Sequence, residues 1–127
     1  MSPVLIVYLG IVGLCFGSFL NVVAYRVPLG RSVIGGRSAC PVCSATIVWY
    51  DDIPVLSWLL LRGRCRHCAN PISVRYPLGE LLTGVLFALA AWLAPNGWVL
   101  ALILVVIIVA VAVGGVQLTR ALDRGHA

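Results

Sequence analysis

Four cysteines, arranged as two close pairs, constrain this chain more than any other feature of its sequence. The pairs are Cys40-Pro-Val-Cys43 and Cys65-Arg-His-Cys68, and 21 residues separate them. Two such pairs supply four thiolates at the corners of a tetrahedron, which is the coordination that a structural zinc ion prefers. The pattern therefore predicts a Zn²⁺ site whose ligands are Cys40, Cys43, Cys65 and Cys68.

Long apolar stretches surround the cysteine pattern. The 127 residues are 61% hydrophobic and only 10% charged, a composition typical of a small integral membrane protein. Hydropathy predicts transmembrane helices over residues 3–23, 78–93 and 98–118. A long loop, 24–77, and a tight turn, 94–97, connect them. We expect an all-α integral membrane protein of one domain, residues 1–127, with three transmembrane helices and a tetracysteine zinc-binding loop.

The arginines predict how the chain lies across the membrane. Seven of them fall in the loop 24–77, and Arg120 and Arg124 follow the last span. Because basic loops stay in the cytoplasm, we expect the loop and the C-terminus there, and the N-terminus outside the inner or plasma membrane. Orientation in the membrane explains the charge of +5, so we expect membrane lipid, and no nucleic acid, as a partner. A reducing cytoplasm favours metal thiolates over disulfides.

Other uses of these cysteines are open from the sequence. One Cys-x-x-Cys pair could be redox-active, although that chemistry usually accompanies a thioredoxin-like unit, which this chain does not contain. His67 lies inside the second pair and could replace a cysteine as ligand, but four thiolates already complete the shell. Cys15 lies within the first span, where we expect it to pack as a small apolar side chain.

The residues between the two pairs allow two interpretations. Residues 49–61 contain an apolar stretch that is too short to cross a membrane. They could form an interfacial or re-entrant segment, with aromatic side chains at the level of the lipid headgroups. They could equally form a short core segment of the loop.

Small and polar residues of the spans predict close contacts. Gly13 and Gly17 form a small-xxx-small pattern that lets another helix approach closely. Asn21 could bond a neighbouring helix or a substrate backbone, or could simply lie at the interface. Glu80 is expected in the first turn of the second span, where a carboxylate complements the helix dipole. Alternatively, Glu80 contacts a cationic or amine group of a ligand.

Five motifs follow one another along residues 10–85. They are Gly17-Ser-Phe-Leu-Asn-Val22, the two Cys-x-x-Cys pairs, Asp52-Ile-Pro-Val-Leu-Ser-Trp58, Leu61-Arg-Gly-Arg-Cys65 and Arg75-Tyr-Pro-Leu-Gly-Glu-Leu-Leu-Thr-Gly84. In this order they resemble the N-terminal half of type IV prepilin peptidases. Those proteins are the leader peptidases and N-methyltransferases of type IV pilus and type II secretion systems. The resemblance implies prepilin as substrate, and methylation of its new N-terminal amine with S-adenosylmethionine.

The resemblance also implies roles for single residues. The four paired cysteines match the family's metal ligands, and Gly63 and Glu80 match positions that the family associates with methylation, which makes both candidate catalytic residues. No residue is identified for cofactor binding, because no glycine-rich cofactor loop follows a strand. The chain has no Gly-x-Gly-Asp motif and no aspartate inside a span. We therefore expect no aspartic peptidase activity from this chain alone.

Two kinds of function fit these observations. The chain could act in prepilin maturation, either as the methylating half or as the partner of a separate aspartic peptidase half. The alternative is a non-catalytic, zinc-stabilised membrane scaffold that binds prepilins or assembly proteins. The motif set favours the first, and the missing aspartates leave the second open.

Overall fold

Three long apolar helices form the frame of the molecule in the computed structural model, which describes residues 2–32 and 38–125. Helix α1 runs over Pro3–Arg26, α3 over Arg75–Leu93 and α4 over Gly97–Gly125. A 3₁₀-helix, Trp49–Asp51, and the short helix α2, Leu56–Leu60, lie between α1 and α3. The three long helices are each long and apolar enough to cross a membrane. The predicted all-α membrane fold with a tetracysteine cluster is confirmed.

The segment between α1 and α3, residues 27–74, is called the cysteine loop here. In its described part, the β-structure is limited to two isolated antiparallel bridges, Ala39–Thr46 and Arg64–Pro71. Arg37 is one of the seven arginines from which the membrane orientation is predicted, and it lies outside the described residues. The loop therefore depends on turns and cross-links rather than on a sheet or a large core.

Glycines bring α1 and α3 into close contact. A Cβ atom added at Gly13 would lie 2.8 Å from the Cα of Gly84, and one added at Gly17 would lie 2.6 Å from the Cα of Glu80. Such distances leave no room for a side chain, so the two backbones pack directly on one another. The small-xxx-small prediction is confirmed, and the helix that approaches belongs to the same chain.

Asn21 reinforces this contact at the loop end of the helices. Its amide Nδ2 donates a hydrogen bond of 2.9 Å to the backbone carbonyl of Tyr76, in the first turn of α3. Of the interpretations for Asn21, the bond to a neighbouring helix is confirmed. Polar side chains that bridge helices in this way fix one helix register against another.

Helix α4 follows α3 after the tight turn predicted at 94–97. The Asn96 side chain accepts a hydrogen bond from the Val99 amide at 3.0 Å, which caps the start of α4. At the other end of the bundle, the Arg75 guanidinium donates to the Thr119 hydroxyl at 2.6 Å. Most of the remaining α4 surface is exposed apolar side chain, which suits contact with lipid.

Candidate functional site

The two cysteine pairs fold into the same backbone turn. In each, the amide of the first cysteine donates to the carbonyl five residues later, at 3.0 Å. The residue four positions after that cysteine donates back to its carbonyl, at 2.9 Å for Cys40 and 3.0 Å for Cys65. This residue has a left-handed backbone in both turns, with φ of 61° at Ser44 and 58° at Ala69. The shared geometry identifies a repeated metal-binding knuckle.

The knuckles bring their sulfur atoms together. The Sγ atoms of the four cysteines all lie within 4.8 Å of one another. The separation is 3.6 Å between Cys40 and Cys68 and 3.8 Å between Cys43 and Cys65. A tetrahedral ion with Zn–S bonds of about 2.3 Å would place its sulfurs roughly 3.8 Å apart. The four side chains therefore fit the ion that the sequence predicts.

His67 and Cys15 take no part in this cluster. Among the described residues, the group close enough to share an ion consists of the four paired cysteines. Cys15 lies on α1 and is exposed, so it faces the surroundings of the bundle rather than packing inside it. The expectation that Cys15 packs as a small apolar side chain is therefore not met by contacts within the described chain.

The electrostatics of the cluster favour a cation. The backbone N–H of Cys43 lowers the pKa of the Cys40 thiol to about 6, and the N–H of Cys68 likewise lowers the pKa of Cys65. At Cys68 the Asn70 N–H acts in the same direction, but desolvation and the neighbouring sulfurs outweigh it and raise the pKa to about 12. The cluster thus forms some thiolates readily and resists ionising the last, a cost that a bound divalent ion offsets.

An ion pair attaches the second knuckle to the 3₁₀-helix. The Arg66 guanidinium donates to both carboxylate oxygens of Asp51, with Nη2 at 2.7 Å from Oδ1 and Nε at 2.8 Å from Oδ2. The guanidinium also lies over the Tyr50 ring, 5.4 Å from its centroid. Hydrogen bonding from Arg66 holds the pKa of Asp51 below its usual value. This bidentate arrangement fixes the orientation of the knuckle.

Gly63 lies two residues before Cys65 of the second knuckle, against the Trp58 ring. Its backbone has a φ of 69°, and an added Cβ would lie 2.7 Å from the Trp58 ring. The Trp58 indole donates to the carbonyl of Ile72 at 3.1 Å. The conformation therefore favours glycine, and the contact with Trp58 leaves no space for a Cβ atom. Trp58 also lines a cavity between the cysteine loop and helices α1 and α3. Gly63 therefore helps to position this part of the cavity wall.

Glu80 connects α3 to the cysteine loop. It is the sixth residue of α3, so the expectation that it lies in the first turn is wrong, because the helix begins earlier, at Arg75. Its Oε2 atom accepts a hydrogen bond of 2.8 Å from the Val55 amide. Val55 has a φ of 62°, which is strained for a β-branched residue. The Glu80 bond helps to hold this conformation.

A cavity of about 680 Å³ separates the loop from the ends of α1 and α3. Its wall includes Asn21 and Tyr25 of α1, Asp52 and Trp58 of the loop, and Glu80 of α3. Although Asp52 is open to solvent, surrounding protein atoms partly desolvate its carboxylate and raise its pKa. Asp52 was missed as a site residue by reasoning from sequence, although it begins one of the recognised motifs.

Known proteins match this chain over most of its length. The sequence model described as "Bacterial Peptidase A24 N-terminal domain" matches residues 11–94. A prepilin leader peptidase/N-methyltransferase of Myxococcus xanthus is 53% identical over 112 residues, which cover 88% of this chain and 33% of the relative. One from Klebsiella pneumoniae is 49% identical over 96 residues, covering 71% of this chain and 42% of the relative.

A third relative carries a different name. The "Type 4 prepilin-like proteins leader peptide-processing enzyme" of Escherichia coli is 46% identical over 111 residues, covering 72% of this chain and 41% of the relative. The matched region thus spans less than half the length of these curated relatives. No solved structure matches the chain. The family model covers most of α1, the whole cysteine loop and all of α3, and the chain belongs to the family of the bacterial peptidase A24 N-terminal domain.

Proposed function

We propose that this chain acts in prepilin maturation and serves the N-methylation of the processed pilin N-terminus, in a type IV pilus or type II secretion system. The names of the relatives support this proposal, since they combine prepilin leader peptidase and N-methyltransferase. Under this proposal the ion held by the four cysteines is Zn²⁺, and S-adenosylmethionine is the methyl donor. The peptidase step would require an aspartate pair that the predicted spans 3–23, 78–93 and 98–118 do not contain.

The cavity beside Glu80 is the observation that carries the proposal. Its volume of about 680 Å³ lies within the range of small-molecule sites in proteins. The carboxylates of Asp52 and Glu80 lie in its wall, and both suit a cationic sulfonium or an ammonium group. The cavity opens between the transmembrane helices and the cysteine loop, where a membrane-anchored pilin could present its N-terminus.

The residues of this wall have distinct proposed roles. When bound, S-adenosylmethionine supplies a methyl group attached to a sulfonium sulfur. Transfer of this methyl to an amine would form an N–C bond, break the S–C bond with its electron pair left on the sulfur as a neutral thioether, and release one proton from the nitrogen, which the Glu80 carboxylate would accept as general base. Because the Val55 amide engages Oε2, Oε1 is the atom that would take the proton. Gly63 would act indirectly, by positioning Trp58.

Paired substitutions at Glu80 test this proposal. Glu80→Gln keeps an oxygen that can accept from the Val55 amide, whereas Glu80→Ala removes the bond as well as the charge. We expect Glu80→Gln to retain bound metal but to lose N-terminal methylation by about 100-fold or more, a typical contribution of a general base. Mass spectrometry of mature pilin N-termini measures the result. Normal methylation with Glu80→Gln would exclude Glu80 as the base.

Deletion of the gene separates the possible contributions of the whole protein. Cleaved but unmethylated pilins would assign methylation to this chain. Uncleaved leaders would make it a required component of the peptidase. Fully normal N-termini would exclude both roles.

A non-catalytic scaffold is the second candidate, and the Glu80–Val55 bond is the observation that favours it. That bond occupies the carboxylate in holding the loop against α3. A scaffold would tolerate Glu80→Gln in every assay, would lose prepilin binding with Glu80→Ala, and would leave methylation to another protein. The two variants therefore distinguish the candidates.

A further inference from the structure

The segment between the knuckles, residues 49–61, presents an apolar surface. Three leucines of α2 are open to the surroundings, with exposed fractions of 49% at Leu56, 59% at Leu59 and 73% at Leu60. Ser57, on the same helix, is buried and donates through its hydroxyl to the Tyr50 carbonyl at 2.8 Å. The short helix therefore has one face held by the loop and one apolar face directed outward.

Two hydrogen bonds fix the level of α2 relative to α3. The bond from the Val55 amide to Glu80 holds the start of α2 near the second turn of α3. Glu80 lies five residues after Arg75, which is about 7.5 Å along a helix axis. Glutamate side chains lean toward the helix N-terminus, so Val55 lies between the levels of these two residues.

The middle of α2 is tied to the chain just before α3. The Trp58 indole bonds to the carbonyl of Ile72, three residues before Arg75. These two bonds tie α2 to the chain between Ile72 and Glu80, that is, to the first turns of α3 and the residues just before them. In its first two turns α3 itself exposes leucines to its surroundings, namely Leu78, Leu81 and Leu82. The apolar face of α2 continues the surface that a transmembrane helix presents to lipid.

We infer that Leu56, Leu59 and Leu60 are embedded in the bilayer, at the boundary between headgroups and acyl chains on the side of the cysteine loop. A helix with one apolar face lies in this boundary with that face buried by about 5–10 Å. Trp49, 78% exposed, suits the same headgroup region.

The charges around α2 favour lipid over a protein partner. Arg62 and Arg64 follow the helix directly and are exposed, so they can reach anionic headgroups while the leucines enter the acyl region. A protein partner at this level would have to displace lipid that already surrounds α3. The sequence allowed residues 49–61 to be an interfacial segment or a short core segment of the loop. The proposed lipid contact makes the leucines interfacial, whereas Ser57 and Trp58 pack within the loop.

Electron paramagnetic resonance of nitroxide labels tests the inference in the full chain. We would replace Cys15 with alanine, leave the four metal ligands intact, verify metal content, and label Leu59→Cys or, independently, Leu60→Cys. Ser73→Cys, just before α3, is the shallow reference, and Leu82→Cys, within α3, is the deep one. The vesicles would contain phosphatidylcholine with one quarter phosphatidylglycerol.

The readout is the ratio of collision rates with oxygen, which concentrates in lipid, and with a water-soluble nickel complex. We expect the ratio at positions 59 and 60 to fall between those at 82 and 73, and to exceed that at 73 several-fold. A ratio at or below that of position 73 would place α2 in water. Low accessibility to both reagents would instead indicate a protein cover, such as a second copy. Either result overturns the inference.

Discussion

Gly63 is constrained both by its left-handed backbone and by its contact with Trp58, and substitutions can measure the two contributions independently. An alanine there must adopt a left-handed backbone, and its Cβ must also displace the Trp58 ring, 2.7 Å away. We expect Gly63→Ala to lower the free energy of unfolding by about 2–4 kcal/mol, from about 1 kcal/mol of backbone strain and 1–3 kcal/mol of overpacking. Denaturant titration in detergent micelles, followed by tryptophan fluorescence, would measure the loss.

Gly30 provides a matched control for this prediction. Its φ of 68° is nearly the same as that of Gly63, but an added Cβ would meet no atom within 4 Å. Gly30→Ala should therefore cost only the backbone strain, about 1 kcal/mol. Equal losses in the two variants would show that the contact with Trp58 contributes nothing.

Metal binding is expected to depend on each of the four cysteine sulfurs. Removing one thiolate, as in Cys40→Ser, leaves an incomplete tetrahedron, and we expect metal to be lost and the cysteine loop to become sensitive to protease. Cys15→Ala removes a sulfur that lies outside the cluster and should leave metal content unchanged. Elemental analysis of the purified protein measures both. Full metal occupancy in Cys40→Ser would contradict the four-thiolate site.

The sequence predicted the metal ligands of the site but not the residues around Glu80. The four ligands follow from local spacing, because a Cys-x-x-Cys turn positions two sulfurs whatever the rest of the chain does. Val55 and Asp52 could not be assigned in this way. Their environment depends on Glu80 and on the closing of the loop onto α3, which are contacts between residues distant in sequence.

Among the helices, the α1–α3 contact depends most on side-chain size. Gly17 packs directly on the Glu80 backbone, so Gly17→Leu should separate the helices and destabilise the protein by about 1–3 kcal/mol. Gly114 of α4 has no atom within 4 Å of an added Cβ, so Gly114→Leu should change stability by no more than about 0.5 kcal/mol. Thermal unfolding in micelles compares the two. Equal midpoints would contradict the close packing.

Hydropathy located the long helices but not what lies at their ends. Helix α4 continues through Gly125, past the apolar stretch, and there Thr119 receives the Arg75 guanidinium. Helix α3 begins at Arg75, before its apolar stretch, which moves Glu80 out of the first turn. Polar residues extend helices without changing the hydropathy signal, so these ends depend on contacts that only the folded chain reveals.

At the scale of the whole molecule, the cysteine loop replaces a hydrophobic core with cross-links. The four sulfurs join its two knuckles, the Asp51–Arg66 ion pair attaches the second knuckle to the 3₁₀-helix, and Glu80 attaches the loop to α3. A loop of this kind would gain order from a bound metal ion, because few apolar side chains are buried in its described part. Its fold is thus coupled to the chemistry of the compartment that contains it.

This coupling makes membrane orientation testable in two independent ways. The arginine distribution predicts a cytoplasmic loop and C-terminus, with the 94–97 turn outside. Alkaline phosphatase inserted after Asn96 should therefore be active, and the same enzyme fused after Gly125 should be inactive, while fluorescent protein fusions should give the converse result.

The cysteines report on the same question. In the predicted orientation they should be metal thiolates, with unchanged mobility on non-reducing gels after acid release of the metal and alkylation. In the opposite orientation the loop would face an oxidising compartment, where sulfurs as close as 3.6 Å and 3.8 Å would form disulfides. An active phosphatase fusion after Gly125, together with disulfide-bonded cysteines, would reverse the proposed orientation. It would also remove the zinc site from the proposed function, because the same four sulfurs cannot serve both as disulfides and as metal ligands.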